Sequence, residues 1–369
     1  MLHIGIVGGD HVDVALELKA ALLALDSSVT VSIDEGDMRH DADDPRTAFA
    51  DKQINQFNAV LRLAAAGAQV VAFSCGCPHK FFDVLQREVS VRLVDSVDDQ
   101  LGRLPVEEYA KRILAADPTP PAKPFKVGLI GGLGPAATVD LYDKIVRATP
   151  AANDQEHFKL VVEQNPQTPD RTKCLLEGGE DPTLALYNSA VRLQADGCDA
   201  LIVPCNTAHA FVPFLQRHLK VPFINMQQVT MDEIQAKYGK SAKVGLLATS
   251  GTVKTGIYSV KSLAMGIPMV APDQPHQELV MRAIYGPKGA KAGFTDGQCR
   301  EDLLSAAEYL VEKHGCNVLI LGCTELPLIL DEGDMEIAGR TVFVIDPTSA
   351  LARKVVKCAE ESFARSGVR

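Results

Sequence analysis

Two cysteines, each followed by small polar residues, form the part of this sequence best suited to chemistry. Cys205 precedes Asn206 and Thr207, and Cys323 precedes Thr324. A thiolate can take a proton from carbon and a thiol can return one, so two cysteines on opposite faces of a stereocentre would invert it. A single buried cysteine is usually a small hydrophobe, but two at matched positions favour this two-base reaction.

The matched positions come from an internal repeat. Three segments open with an apolar strand that ends in small residues: 3–9, 126–132 and 243–249. Three later strands run from a glycine to a cysteine eight positions on: 67–75, 197–205 and 315–323. Each is followed by another short strand, at 91–94, 221–224 and 342–345. The chain therefore consists of one unit repeated three times.

Helical patterns separate these strands. In the first of them, residues 138–147, Val139, Tyr142 and Val146 lie on one apolar face; residues 184–194 and 302–313 read similarly. Alternating strands and helices predict an α/β fold of three tandem doubly wound parallel-sheet units, the last two forming a body with pseudo-twofold symmetry. Cys205 and Cys323 then end strands at one cleft, each beside a helix N-terminus that favours thiolate.

A proline-rich stretch divides the chain, because proline suits neither helix nor central strand. We predict four parts: an N-terminal unit at 1–116, a linker at 117–124, a first lobe at 125–240 and a second lobe at 241–369.

Composition excludes several classes of protein. The net charge is −10 and no run of Lys or Arg stands out, unlike a nucleic-acid or membrane-surface protein. The apolar runs are strand-sized, and the first residues are typical of a strand, so we expect no targeting segment. Nine scattered cysteines fit a reducing compartment. We therefore expect a cytoplasmic protein, a homo-oligomer such as a dimer, with no nucleic-acid or membrane partner.

Segment 126–358 resembles the aspartate/glutamate racemase family, most of all the aspartate racemases that use no pyridoxal phosphate. Five motifs carry the resemblance, at 131–138, 165–172, 204–209, 247–252 and 322–326. It implies a cofactor-independent isomerase that interconverts L- and D-aspartate, or glutamate, and uses no metal. It also implies that Cys205 and Cys323 are the proton donor and acceptor, while Leu133, Asn206, Thr207 and Thr324 hold the amino acid.

Two cationic side chains indicate which class of substrate to expect. A guanidinium grips a carboxylate through two parallel hydrogen bonds, and the resemblance assigns Arg171 to the side-chain carboxylate. It gives Lys291 a similar role, although Lys288 competes for that place. A dicarboxylic amino acid is therefore expected, with aspartate against glutamate left open.

Other interpretations of the C-terminal body remain. Residues 132–137 fit the loose dinucleotide pattern, although Pro135 removes one N–H from such a phosphate cradle. A non-catalytic amino-acid-binding regulator is another possibility, as is a related isomerase with another substrate. His209 is as readily a packed residue as a proton carrier.

In the N-terminal unit, Cys75 aligns with Cys205, but Gly76 and Cys77 replace the polar pair that follows it. We interpret this unit as a degenerate racemase-like half with a regulatory or assembly role. A metal or redox site at Cys75, Cys77 and His79 is a weaker alternative, and so is pairing with a unit of another subunit.

Overall fold

The structure is a computed structural model that describes residues 1–9, 11–36, 45–74, 79–98 and 102–367; for residues 45–49 and 79–80 it describes the backbone alone. It separates into two compact units, Met1–Lys123 and Pro124–Arg369. Across the described ranges, no helix has the length and apolar character that a membrane crossing requires.

The first unit is a parallel sheet covered by helices on both faces. Its strand order is β2-β1-β3-β4, with a small β5–β6 hairpin beside it. Alternate strand residues face two cores, one built with α1 and α4 and the other with α2 and α3. The elements are β1 His3–Val7, α1 Val12–Leu25, β2 Thr30–Asp34, α2 Pro45–Ala65, β3 Val70–Phe73, α3 His79–Glu88, β4 Arg92–Val94, β5 Val97–Asp98, β6 Gly102–Arg103 and α4 Val106–Leu114.

The first lobe of the second unit has a three-stranded parallel sheet in the order β8-β7-β9. The strand predicted at 221–224 is reduced to one parallel bridge between Phe223 and Leu201. The elements are β7 Lys126–Gly131, α5 Pro135–Ala148, β8 Lys159–Gln164, α6 Arg171–Glu177, α7 Thr183–Ala195, β9 Ala200–Ile202, α8 Val212–Gln216 and α9 Met226–Tyr238.

The second lobe has five strands in the order β11-β10-β12-β14-β13. All pairs are parallel except β13 with β14, an antiparallel hairpin that the sequence analysis did not predict. The elements are β10 Val244–Ala248, α10 Ser250–Thr255, α11 Ser259–Met265, β11 Met269–Val270, α12 Gln274–Tyr285, α13 Gln298–His314, β12 Val318–Gly322, β13 Gly333–Ile337, β14 Arg340–Ile345 and α14 Pro347–Ser366. The doubly wound α/β class is thereby confirmed.

Helix α5 turns a different face to the core than its periodicity suggests. Val139, Tyr142 and Val146 are 66%, 46% and 42% exposed, whereas Leu141 and Ile145 are buried. The helix carries two apolar stripes at helical spacing, so the pattern alone does not choose between them.

The buried stripe of α5 is covered by α14, the last helix. Leu351 and Val355 of α14 pack with Leu141 and Ile145 in one core. Lys144 of α5 also pairs with Asp346, whose carboxylate caps α14, at 2.6 Å. The final helix of the second lobe therefore completes the core of the first.

Candidate active site

Both cysteines lie at the carboxyl ends of parallel strands. Cys205 stands just beyond β9 and Cys323 directly after β12, and the two side chains line one pocket. Both are buried, at 7% and 6% exposure. The lining residues are Leu133, Arg171, Thr172, Cys205, Asn206, Thr207, Thr249, Tyr285, Lys291, Cys323, Thr324 and Glu325.

The helix N-termini expected beside the thiols are short. Single turns of 3₁₀ helix, Thr207–Ala210 and Leu326–Leu328, follow the two cysteines. A helix dipole is the sum of many aligned peptide dipoles. These single turns therefore stabilise a thiolate at either cysteine only weakly. Neighbouring side chains set the electrostatics instead.

Cys323 faces an anion. Its Sγ donates to Oε2 of Glu325 at 3.0 Å, and the other carboxylate oxygen of Glu325 pairs with the Lys291 ammonium. Burial raises the pKa of the Cys323 thiol well above its usual range, and the Glu325 carboxylate raises it further. Cys323 is therefore held as the protonated thiol.

Cys205 faces a cation, Arg171. Burial opposes the charge of this guanidinium, yet the pKa of Arg171 lies above its usual value because Cys205 is beside it. The Nη2 donates to the Leu133 carbonyl at 2.9 Å, and Nη1 donates to two carbonyls of the preceding loop. Its Nε is buried with no hydrogen-bond partner among the described residues, so this donor is available to a ligand.

Thr207 and Thr324, which line the pocket, form hydrogen bonds between the two lobes. The Thr207 hydroxyl lies 3.2 and 3.0 Å from the hydroxyls of Thr249 and Thr252 in the second lobe. In the other direction, the Thr324 hydroxyl donates to the carbonyl of Pro204 at 3.3 Å. These bonds fix the ends of both cysteine-bearing strands against each other.

Of the two competing lysines, Lys291 is the one at this pocket. It lies on the 3₁₀ turn Ala290–Ala292. Burial disfavours its charge, but Glu325 raises the pKa of the Lys291 ammonium above the usual value. Lys288 lines a separate pocket with Arg282, Gln298 and Asp302.

The sequence analysis did not single out Glu325, Tyr285, Thr172 or Thr249. Glu325 had a signal, because it stands two residues after a strand-end cysteine. Space for it comes from Gly134, where an added Cβ would lie 2.7 Å from Glu325 Oε1. Tyr285 ends α12, and burial followed by the nearby Cys323 raises the pKa of its phenol to about 12.

His209 is a packed residue. It is fully buried, and burial lowers the pKa of its imidazole to about 4. The ring is fixed at both nitrogens: Nε2 accepts from the Met226 N–H at 3.2 Å, so Nδ1 donates to the Cys205 carbonyl at 2.9 Å. The neutral ring thus holds the backbone of Cys205.

In the first unit, Cys75 and Cys77 lie outside the described residues, as does the side chain of His79. The proposals for that segment remain predictions.

Comparison with known proteins places this pocket in context. The family model described as Asp/Glu/hydantoin racemase matches residues 130–355. The broad-specificity amino-acid racemase RacX of Bacillus subtilis is 26% identical over 236 residues, which cover 62% of this chain and 96% of that protein.

Two solved structures resemble about two thirds of this chain. The aspartate racemase of Picrophilus torridus aligns with a TM-score of 0.53 at 32% identity and covers 66% of this chain and 99% of its own. An aspartate racemase homologue from Pyrococcus horikoshii aligns with a TM-score of 0.52 at 25% identity, over 64% of this chain and 99% of its own.

Proposed function

The chain belongs to the Asp/Glu/hydantoin racemase family, and from this premise we propose that it racemises a dicarboxylic amino acid, aspartate before glutamate, by cofactor-independent proton transfer between two thiols. One observation carries the proposal: Cys205 and Cys323 line the same pocket but face charges of opposite sign. The two thiols thus have different charge environments at one pocket, which suits a pair that exchange the roles of base and acid.

Inversion removes one proton from the α-carbon and adds another to its opposite face. The Cys205 thiolate takes the α-proton of one enantiomer and becomes a thiol. The electron pair of the broken C–H bond stays on the α-carbon. The Cys323 thiol donates its proton to the opposite face of that carbon and becomes a thiolate. The product is the other enantiomer, and exchange with solvent restores the starting protonation. The reverse reaction exchanges the two roles.

The carbanion needs support, since an amino-acid α-proton is very weakly acidic. Donors that are fixed before the reaction and excluded from water stabilise developing charge most effectively. The free Nε of Arg171 and the Nδ2 of Asn206, both buried without a partner among the described residues, are such donors. We assign them to the two carboxylates of the substrate.

The cations at the pocket favour a dicarboxylic substrate. Arg171 and Lys291 are cations, whereas Glu325 and the proposed Cys205 thiolate are anions. The pocket is then neutral overall, so the preference rests on the Arg171 guanidinium, which can pair with a second carboxylate. RacX, by contrast, is named for broad specificity. If this chain racemised neutral amino acids as fast as aspartate, the proposed preference for dicarboxylic substrates would be wrong.

The test follows α-proton exchange by proton NMR in deuterated water with L- and D-aspartate and L- and D-glutamate. We expect exchange with inversion for the wild type and loss of racemisation in Cys205→Ser and Cys323→Ser. Cys198 and Cys316 are matched controls, since each is buried at the same offset before its partner cysteine; Cys198→Ala and Cys316→Ala should keep activity. Racemisation at the wild-type rate in either serine variant would refute the two-thiol mechanism.

A further inference from the structure

The orientation of the Asn206 side chain is set by two buried residues outside the pocket. Its Oδ1 accepts from the Tyr258 hydroxyl at 2.7 Å and from Gln227 Nε2 at 3.2 Å. All three residues are buried, and Tyr258 and Gln227 are 0% exposed. Resting on the proposed function, we infer that Tyr258 and Gln227 are positioning residues that aim the Asn206 NH₂ group at the substrate carboxylate.

The hydrogen bonds of Gln227 decide which way the Asn206 amide faces. Its Nε2 donates both to the backbone carbonyl and to Oδ1 of Asn206, each at 3.2 Å. Turning the Gln227 amide over would place its oxygen against the backbone carbonyl of Asn206, which can only accept, and lose that bond. The nitrogen therefore stays toward Asn206, and the atom it meets on the side chain must be the amide oxygen.

The opposite side of the Asn206 amide is left for a ligand. Its Nδ2 is buried with no partner among the described residues, although the residue lines the cysteine pocket. Buried amide donors without a partner are rare in folded proteins because they lose their hydration. A carboxylate oxygen in the pocket would supply the missing acceptor.

Tyr258 is suited to this role because it donates at every working pH. Burial raises the pKa of its phenol far above the usual range, so the hydroxyl keeps its proton. The residue lies between α10 and α11 of the second lobe, whereas Asn206 follows a strand of the first. A carboxylate donor of one lobe is thus oriented from the other.

The test compares Tyr258→Phe with Tyr238→Phe, a half-buried tyrosine on α9 that does not line the pocket. Removing the Tyr258 hydroxyl takes away one of the two hydrogen bonds that hold the Asn206 amide, so its NH₂ group is aimed less firmly at the substrate. We expect kcat/KM for aspartate to fall about 10-fold or more, mainly through KM, as for other hydrogen bonds to charged groups. Tyr238→Phe should match the wild type. Gln227→Met should act like Tyr258→Phe, with Gln228→Met, at a half-buried position that does not line the pocket, as its control.

Coupling to Asn206 separates positioning from general packing. In an Asn206→Ala background, Tyr258→Phe should change neither kcat/KM nor the Kd for succinate, a dicarboxylate without an α-ammonium, measured by calorimetry. An equal effect in both backgrounds, or no effect in the wild-type background, would overturn the inference while the proposed function stands. A wild type that neither exchanges α-protons nor binds succinate would overturn both.

Discussion

The Sγ of Cys323 donates to the carboxylate of Glu325 at 3.0 Å, and that carboxylate is ion-paired with Lys291 on its other side. The equivalent cysteine of the other lobe has a guanidinium beside it instead. Two positions that the repeat makes alike in sequence thus differ in charge environment, and the difference lies in residues that the repeat does not share.

Glu325→Gln tests this difference through pH dependence. Glu325 raises the pKa of Cys323, and its removal also leaves Lys291 unpaired, so both changes lower that pKa. The proposed acid then loses its proton at lower pH, and the alkaline limb of kcat/KM should move to lower pH for the enantiomer that Cys205 deprotonates. We expect kcat to fall about 10-fold or more. The exposed Glu308→Gln is the control, and an unmoved alkaline limb would contradict the assignment.

Lys291→Met tests the ion pair through stability. The variant leaves the Glu325 carboxylate buried without its cation, which should lower the free energy of unfolding by about 3 kcal/mol. The double variant Lys291→Met/Glu325→Gln should recover most of that loss, because no buried charge remains. Urea unfolding at neutral pH measures both, with Lys288→Met as control. A double variant less stable than Lys291→Met would show that the stability loss does not come from the broken ion pair.

Arg171→Lys tests carboxylate recognition. A lysine keeps the charge but loses the planar fork, including the free Nε. We expect kcat/KM for aspartate to fall about 10- to 100-fold, the cost of lost charge-assisted hydrogen bonds. Arg192→Lys, on an exposed pair with Glu163, should leave activity unchanged. Normal kinetics in Arg171→Lys would remove Arg171 from substrate binding.

Lys144→Met tests the junction of α5 and α14. Burial alone would raise the pKa of Asp346, but Lys144 and the capping N–H and hydroxyl groups hold it below the usual value. Such a depressed carboxyl stabilises the fold above its unfolded pKa, and this contribution is lost as pH falls through the folded pKa. Lys144→Met should cost about 3 kcal/mol at pH 7.

The cost of Lys144→Met should shrink on the acid side, because Asp346 becomes protonated. Urea unfolding at pH 7, 4 and 3 measures the trend, with the exposed Arg147→Met as control. A loss that stays constant with pH would assign the effect to packing rather than to the ion pair.

Sequence reasoning reached the fold class and the family because both depend on local, repeated patterns. Gly-to-Cys spacing and continuous apolar strands specify parallel sheets, and they place Cys205 and Cys323 at strand ends whatever the surroundings. The buried face of α5 was not predictable in this way, because Leu141 and Val139 differ only in which one α14 covers.

The residues of the candidate site also fall into two groups, those that the sequence could predict and those that it could not. Residues next to a cysteine, such as Asn206 and Thr324, follow from sequence adjacency. Tyr285 and Tyr258 reach the site region only through tertiary packing, and neither carries a local signal. Glu325 is adjacent, but its pairing with Lys291 depends on a loop from elsewhere in the lobe.

Because α14 covers the first lobe, that lobe depends on the C-terminal end of the chain for part of its core. A fragment cut after Tyr238 would keep every strand of its own sheet, yet Leu141 and Ile145 would face solvent. Such a half should aggregate alone and regain solubility on co-expression with the remainder, as in split-protein complementation. The first lobe therefore depends on the final helix of the second lobe, and we expect it not to fold as a free-standing module without that helix.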